Sequence, residues 1–195
     1  MMNHSNVKIF GIGLNKTGTS TLEKCFEILR FSHFGCSREL LDDVITRKDY
    51  TNVFKTVKRY DCFRDWPWPL IYKELDSMFP GSKFILTIRK DDTTWLESLK
   101  KHSQRMDPKK PHCRKLAYGY DFPDGNEKEH LEFYQKHNNE VIDYFKDRPN
   151  DLLVICWENE DSWEKLCSFV NKPVPGIALP HENKAPTKRG WFNNF

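Results

Sequence analysis

The chain has 195 residues, 38% of them hydrophobic and 30% charged, with a formal net charge of +3. That length suits one domain able to bury its own core without disulfide or metal staples. The small net charge argues against a general polyanion binder, so no nucleic-acid partner is expected. No uncharged stretch exceeds nine residues, which excludes a transmembrane helix of ~20 apolar residues.

Residues 7–14 (VKIFGIGL) form a short apolar run rich in β-branched and aromatic residues, and predict a strand. A Gly-containing loop follows. Leu22, Cys25, Phe26 and Leu29 then fall on one helical face across residues 19–30. Residues 37–59 are polar and predict two helices divided near Asp49. Residues 60–64 (YDCFR) predict a second strand ending at Asp65, after which Pro67 and Pro69 break the pattern. Ile71, Leu75, Met78 and Phe79 have helical spacing, stopped by Pro80 and Gly81.

Residues 83–88 (KFILTI) are the clearest buried strand, and Arg89 follows directly. Asp91 and Asp92 can cap a helix whose apolar face is Trp95, Leu96 and Leu99. Pro108, Pro111, Gly119, Pro123 and Gly125 mark residues 108–125 as a loop. A long amphipathic helix over 126–147, a buried strand over 152–157 and a helix with Trp163, Leu166, Cys167 and Val170 on one face complete the pattern. Asp161 and Glu164 have capping-box spacing before that last helix. Strands alternating with helices predict an α/β domain with a central, mostly parallel sheet flanked by helices.

Six cysteines are scattered without a CxxC pair, and no Cys/His cluster has zinc-ligand spacing. Free thiols in a reducing compartment are expected, and residues 1–8 carry no apolar signal core, so a cytoplasmic location is expected. Charge is uneven. Residues 99–115 hold seven Lys or Arg against one acid, and residues 121–164 hold thirteen acids against four bases. The basic segment is either a solvated helix end or a mouth that attracts an anionic ligand.

The loop between the first strand and first helix reads Gly13-Leu14-Asn15-Lys16-Thr17-Gly18-Thr19-Ser20-Thr21. Glycines that let backbone N–H groups converge, followed by a helix N-terminus, suit a tetrahedral anion. Gly13 and Gly18 have the spacing of the triphosphate-binding loop, but position 19 is Thr where that loop carries its Lys. Lys16 instead sits at the loop crown, so it can place a cation over an outer oxygen of one phosphate. Read alone, the loop is equally a Gly-containing turn with a solvated Lys.

Lys16-Thr17-Gly18-Thr19-Ser20-Thr21 resembles the 5′-phosphosulfate loop of the P-loop sulfotransferases, and Phe79-Pro80-Gly81-Ser82-Lys83 through Arg89 is similar to their strand leading to a 3′-phosphate Arg. Trp163-Glu164-Lys165-Leu166-Cys167 and Pro180-His181-Glu182-Asn183 look like a compact microbial-type branch of that family. The resemblance implies a three-layer P-loop-type domain spanning residues 1–195. It implies 3′-phosphoadenosine 5′-phosphosulfate (PAPS) as sulfuryl donor, the bisphosphate PAP as product, and no metal. It places Asn15, Lys16, Thr17, Gly18, Thr19, Ser20 and Thr21 on the 5′ end. Arg89 and Ser98 fall on the 3′-phosphate, joined by Lys188, Arg189 and Gly190, which look like the RKG segment of cytosolic members. Ser98 lies nine residues after Arg89, one more than usual. Thr21 stands where many cytosolic members carry an adenine-stacking Trp.

The resemblance also implies a catalytic base between the two phosphate motifs. Asp65 occupies that place, flanked by Trp66 and Trp68, which could desolvate it and raise its pKa. His33 and Glu74 are the alternatives. Residues 35–60 and 103–125, the least core-patterned segments, are expected to face a small-molecule acceptor of unread identity. An ATP-dependent small-molecule kinase with a divergent loop, and a non-catalytic nucleotide-binding protein, are the competing readings. Oligomeric state is not legible in the sequence.

Overall fold

The computed structural model describes residues 7–110, 112–159 and 162–180. Five strands, β1 (Ile9–Gly11), β2 (His33–Phe34), β3 (Cys62–Phe63), β4 (Lys83–Thr87) and β5 (Leu152–Ile155), form one sheet in the order β2-β3-β1-β4-β5. Every neighbouring pair is parallel. A parallel sheet is buried on both faces, which is why its strands read as continuous apolar runs rather than alternating ones.

Side chains alternate across that sheet. On one face Ile9, Ile85, Leu153 and Ile155 pack against Leu22, Cys25 and Phe26 of α1 (Thr19–Ile28) and against Trp163, Leu166 and Cys167 of a helix over Trp163–Val170 near the end of the described chain. On the other face Phe10, Phe63 and Phe84 stand side by side on three neighbouring strands, with Phe10 centroids 5.0 and 5.5 Å from the other two. Their cover includes Val44, Val53, Leu75, Val141 and Phe145. A third cluster of Leu14, Trp66, Trp95, Leu99, Tyr118 and Tyr134 sits beyond the strand ends and supports the loops there. The layering is therefore helices, parallel sheet, helices.

The polar stretch 37–59 is two helices as predicted. α2 (Arg38–Asp42) runs on as a wider turn over Asp43–Arg47, Lys48 turns left-handed at φ 54°, and α3 (Thr51–Val57) follows. Next come α4 (Tyr72–Met78), α5 (Asp92–Ser103), α6 (Cys113–Tyr118), α7 (Glu127–Phe145) and α8, the Trp163–Val170 helix. Asp91 caps α5 by accepting from the Thr94 N–H at 2.6 Å.

Two elements differ from expectation. Residues 108–125 are not a continuous loop, because α6 lies inside them. Its six residues bury Arg114, Ala117 and Tyr118, and Gly119 ends it at φ 86°. The flanking prolines and glycines hid a helix this short. The two-residue β2 was also unpredicted; it exists because β3 offers it an edge. Ser162 precedes α8 in extended conformation, and Asp161 lies outside the described residues. Among the described residues no helix is long and apolar enough to cross a membrane.

Candidate functional site

The β1–α1 loop is fixed from beneath by β4. A Cβ on Gly13 would lie 2.0 Å from Thr87 Oγ1 and 2.4 Å from the Thr87 carbonyl, so only glycine permits this approach. The Thr17 hydroxyl donates to the Leu14 carbonyl at 2.6 Å and meets the Thr87 hydroxyl at 2.6 Å. The Thr17 hydroxyl thus faces the protein interior and braces the loop. Thr21 is likewise buried and lines no part of the cavity described next. Gly18, at φ 96°, rests against the Trp157 indole, where a Cβ would lie 2.3 Å from Cδ1. The Asn15 carbonyl accepts from Trp95 Nε1 at 3.0 Å, and its side chain accepts from the Tyr118 hydroxyl.

Above the loop lies a cavity of ≈ 450 Å³, within the range of small-ligand sites. Asn15, Lys16, Gly18, Thr19 and Ser20 line one end. Arg89 and Ser98 line the same cavity, as do Asp65 and Trp66. The two cationic positions recognised in sequence are therefore brought together, and Arg89 Nη1 donates to the Lys16 carbonyl at 3.2 Å. Below them the Arg89 N–H donates to the Tyr134 hydroxyl at 3.0 Å, and Tyr134 stacks on Trp95 with centroids 4.3 Å apart. Ser98 reaches the cavity despite its longer spacing. Its helix begins only at Asp92, so an extended link rather than helical pitch sets the offset from Arg89.

Arg89 is not a free cation. Its Nε donates to Glu158 Oε2 at 2.9 Å and its Nη2 to Oε1 at 2.7 Å, and Glu158 also accepts from the Lys90 N–H at 3.0 Å. Sequence reasoning missed Glu158. The available signal was the apolar run of β5, since Thr87 pairs with Ile155 and the residues just past both strands must meet. Of the five guanidinium N–H groups, three are engaged and two remain for a ligand.

Asp65 sits at φ 64° with Oδ1 accepting from the Trp66 N–H at 2.9 Å and Oδ2 3.8 Å from Arg64. Burial raises its pKa, opposed by the Trp66 hydrogen bond and by Arg64 and Lys16. Burial lowers the Lys16 pKa, helped by Arg105 and Arg89 and opposed by Asp65. His102, unnoticed in sequence, also lines the cavity, and burial with nearby Lys16 and arginines lowers it to about 4. Its Nδ1 faces Arg114 Nη1 at 3.3 Å. An arginine can only donate, so the neutral ring carries its proton on Nε2 and offers no free acceptor there. Of the alternative bases, His33 lies 3.8 Å from both Glu23 and Glu27 and lines no part of the cavity. Glu74 meets Tyr50 at 3.4 Å in a separate groove. Among the three base candidates, Asp65 alone shares the cavity with Lys16.

The two expected acceptor-side segments contribute unequally. Cys36 and Arg38 come from the start of 35–60, but Val53 and Val57 of α3 turn into the core instead. From 103–125 come Met106, His112, Cys113 and Arg114. Lys188, Arg189 and Gly190 lie outside the described residues. The arrangement offers two cationic groups and the N-terminus of α1 for anions, with a carboxylate of raised pKa in the same cavity.

A family model described as a sulfotransferase domain matches residues 8–187. No curated protein matches the chain.

Proposed function

The chain belongs to the sulfotransferase domain family, and on that premise we propose that it moves a sulfuryl group from PAPS to the hydroxyl or amine of a small-molecule acceptor by in-line displacement. The observation that carries this reading is the single cavity holding both Lys16 and Arg89, joined by the Arg89–Lys16 carbonyl contact. A kinase has no need of a 3′-phosphate site, the role proposed for Arg89. PAPS would supply the activated sulfuryl group; positioning and electrostatics are what the protein adds.

In this reading the N–H groups around Gly18, with the Thr19 and Ser20 hydroxyls, hold the 5′-phosphate. Lys16 neutralises the charge that grows on that phosphate, so no metal is required. Arg89, through its two remaining donors, and Ser98 hold the 3′-phosphate, with Lys188, Arg189 and Gly190 added from the C-terminal segment. Asp65 takes the proton from the acceptor. Arg38 and Arg114 also line the cavity, which favours an acceptor that itself carries negative charge. Six free cysteines support a reducing, cytoplasmic setting.

Ligand-dependent melting tests the proposal. PAP without Mg²⁺ should stabilise the protein by ~2.7 kcal/mol at one hundred times its Kd. Lys16→Met should keep the fold and lose ~10²–10³-fold in turnover. Stabilisation by ATP with Mg²⁺ but not by PAP would establish the kinase instead. Binding of PAP with no transfer to any acceptor in a labelled-PAPS screen would leave a nucleotide-binding protein.

A further inference from the structure

Cys36 and Cys113 are 77 positions apart in sequence, yet their sulfurs lie 3.7 Å apart on the cavity wall. The other four cysteines, Cys25, Cys62, Cys156 and Cys167, are buried, whereas Cys36 is exposed and Cys113 half-buried. Both backbones are held by separate elements. Cys36 is flanked by Gly35, whose carbonyl accepts from Trp68 Nε1 at 3.2 Å, and by Ser37, whose N–H donates to the Trp66 carbonyl at 2.9 Å. Cys113 opens α6. We propose that this pair is a modification site, which a hydroperoxide oxidises to a disulfide that staples the two walls of the cavity together.

The Cys36 S–H hydrogen bond, aided by Arg38, holds the Cys113 thiol below its ordinary range against burial and Asp65. Cys113 is therefore the thiol that reacts first. Its thiolate attacks a peroxide oxygen, the O–O bond breaks, and the sulfur is oxidised to a sulfenic acid while the leaving oxygen takes a proton. The Cys36 thiol then attacks that sulfur. The S–O bond breaks, the S–S bond forms, and the hydroxyl leaves as water with the Cys36 proton. For hydrogen peroxide, two thiols and one peroxide give one disulfide and two waters.

The staple would join the β2–α2 link to α6 on the side where the acceptor is proposed to bind. That consequence rests on the proposed function; the thiol chemistry does not. The test treats the reduced full-length protein with hydrogen peroxide, blocks remaining thiols with N-ethylmaleimide and maps peptides by mass spectrometry. The expected product is an intramolecular Cys36–Cys113 disulfide, two hydrogens lighter and restored by dithiothreitol. In Cys36→Ser, dimedone should instead trap a sulfenic acid on Cys113. Amide exchange across residues 103–118 should slow on oxidation while PAP affinity is unchanged. Reaction of both thiols with maleimide after peroxide, a disulfide between chains, or unaltered exchange would overturn the proposal. If the reduced protein does not bind PAP, the sulfotransferase reading fails, and the peptide map still decides the thiol site.

Discussion

Lys16 and Asp65 both take left-handed backbone conformations, at φ 69° and 64°, and both line the same cavity. Backbone strain of this kind persists where the surroundings enforce it, and Asp tolerates it better than most residues. Burial moves the two groups toward each other in pKa: Asp65 up, Lys16 down. Turnover should therefore rise with pH along a limb above the ordinary carboxylate range and fall along one below the ordinary lysine range. Asp65→Asn, which suits the left-handed backbone equally, should abolish the acid limb and cost ~10²–10⁴-fold in kcat. Because the native state holds the Asp65 proton more tightly than the unfolded chain, that group favours folding in acid and loses its contribution as pH rises through its folded pKa. Asp65→Asn should accordingly melt higher than the parent at neutral pH, with the gap closing in acid. Glu158 sets a second test at this scale. Glu158→Gln removes a negative charge from Arg89 while keeping a hydrogen-bonding shape, and for so exposed a pair should tighten PAP by only ~2- to 5-fold in calorimetry. Lys16, Arg89 and Asp65 were legible in the sequence through the glycine loop and the family resemblance carried by short contiguous motifs. Glu158 and His102 were not, since each gains its partner from a distant segment.

At the scale of elements, the β1–α1 loop and β4 act as one unit. Gly13 presses on Thr87, Thr17 shares a hydrogen bond with it, and Arg89 begins two residues later. Gly13→Ala would force the loop off β4. It should cost ~1–3 kcal/mol in stability by denaturant melts and weaken PAP more than a surface change of equal stability cost. The same unit explains why the Thr17 hydroxyl reads as ligand-facing in the sequence yet braces β4. The motif places it beside Lys16, but the loop turns between them, and only the position of β4 reveals which hydroxyl faces inward. Helix α6 escaped prediction for a different reason. The six residues Cys113–Tyr118 are too few to show a period, and burial of Tyr118 against Trp66 and Trp95 stabilises the helix instead.

Across the whole molecule the net charge conceals a division that the fold partly cancels. Lys100 lies 3.4 Å from Asp124 and also meets Glu127, and Lys115 lies 3.6 Å from Asp121. The acidic stretch thereby neutralises Lys100 and Lys115, while Arg105 still acts on Lys16 and Arg114 still lines the cavity. Positive charge is thus kept at the cavity by Arg105 and Arg114. For an anionic donor, kcat/KM should fall as salt rises from ~0.01 to ~0.1 M, where the Debye length shrinks from ~30 to ~10 Å, with kcat changing little. An unchanged kcat/KM would show that the mouth exerts no steering.

The sequence by itself determined the alternation of strands and helices and the parallel sheet, because apolar periodicity acts over a few residues, while its family resemblance marked Lys16 and Arg89. Tertiary structure alone decided that Lys16 and Arg89 share one cavity, that Glu158 grips Arg89, that Thr17 is a brace and that Cys36 meets Cys113. Those outcomes depend on which strands become neighbours. Strand order follows from burying both faces of the sheet at once, a condition that no local stretch of chain contains.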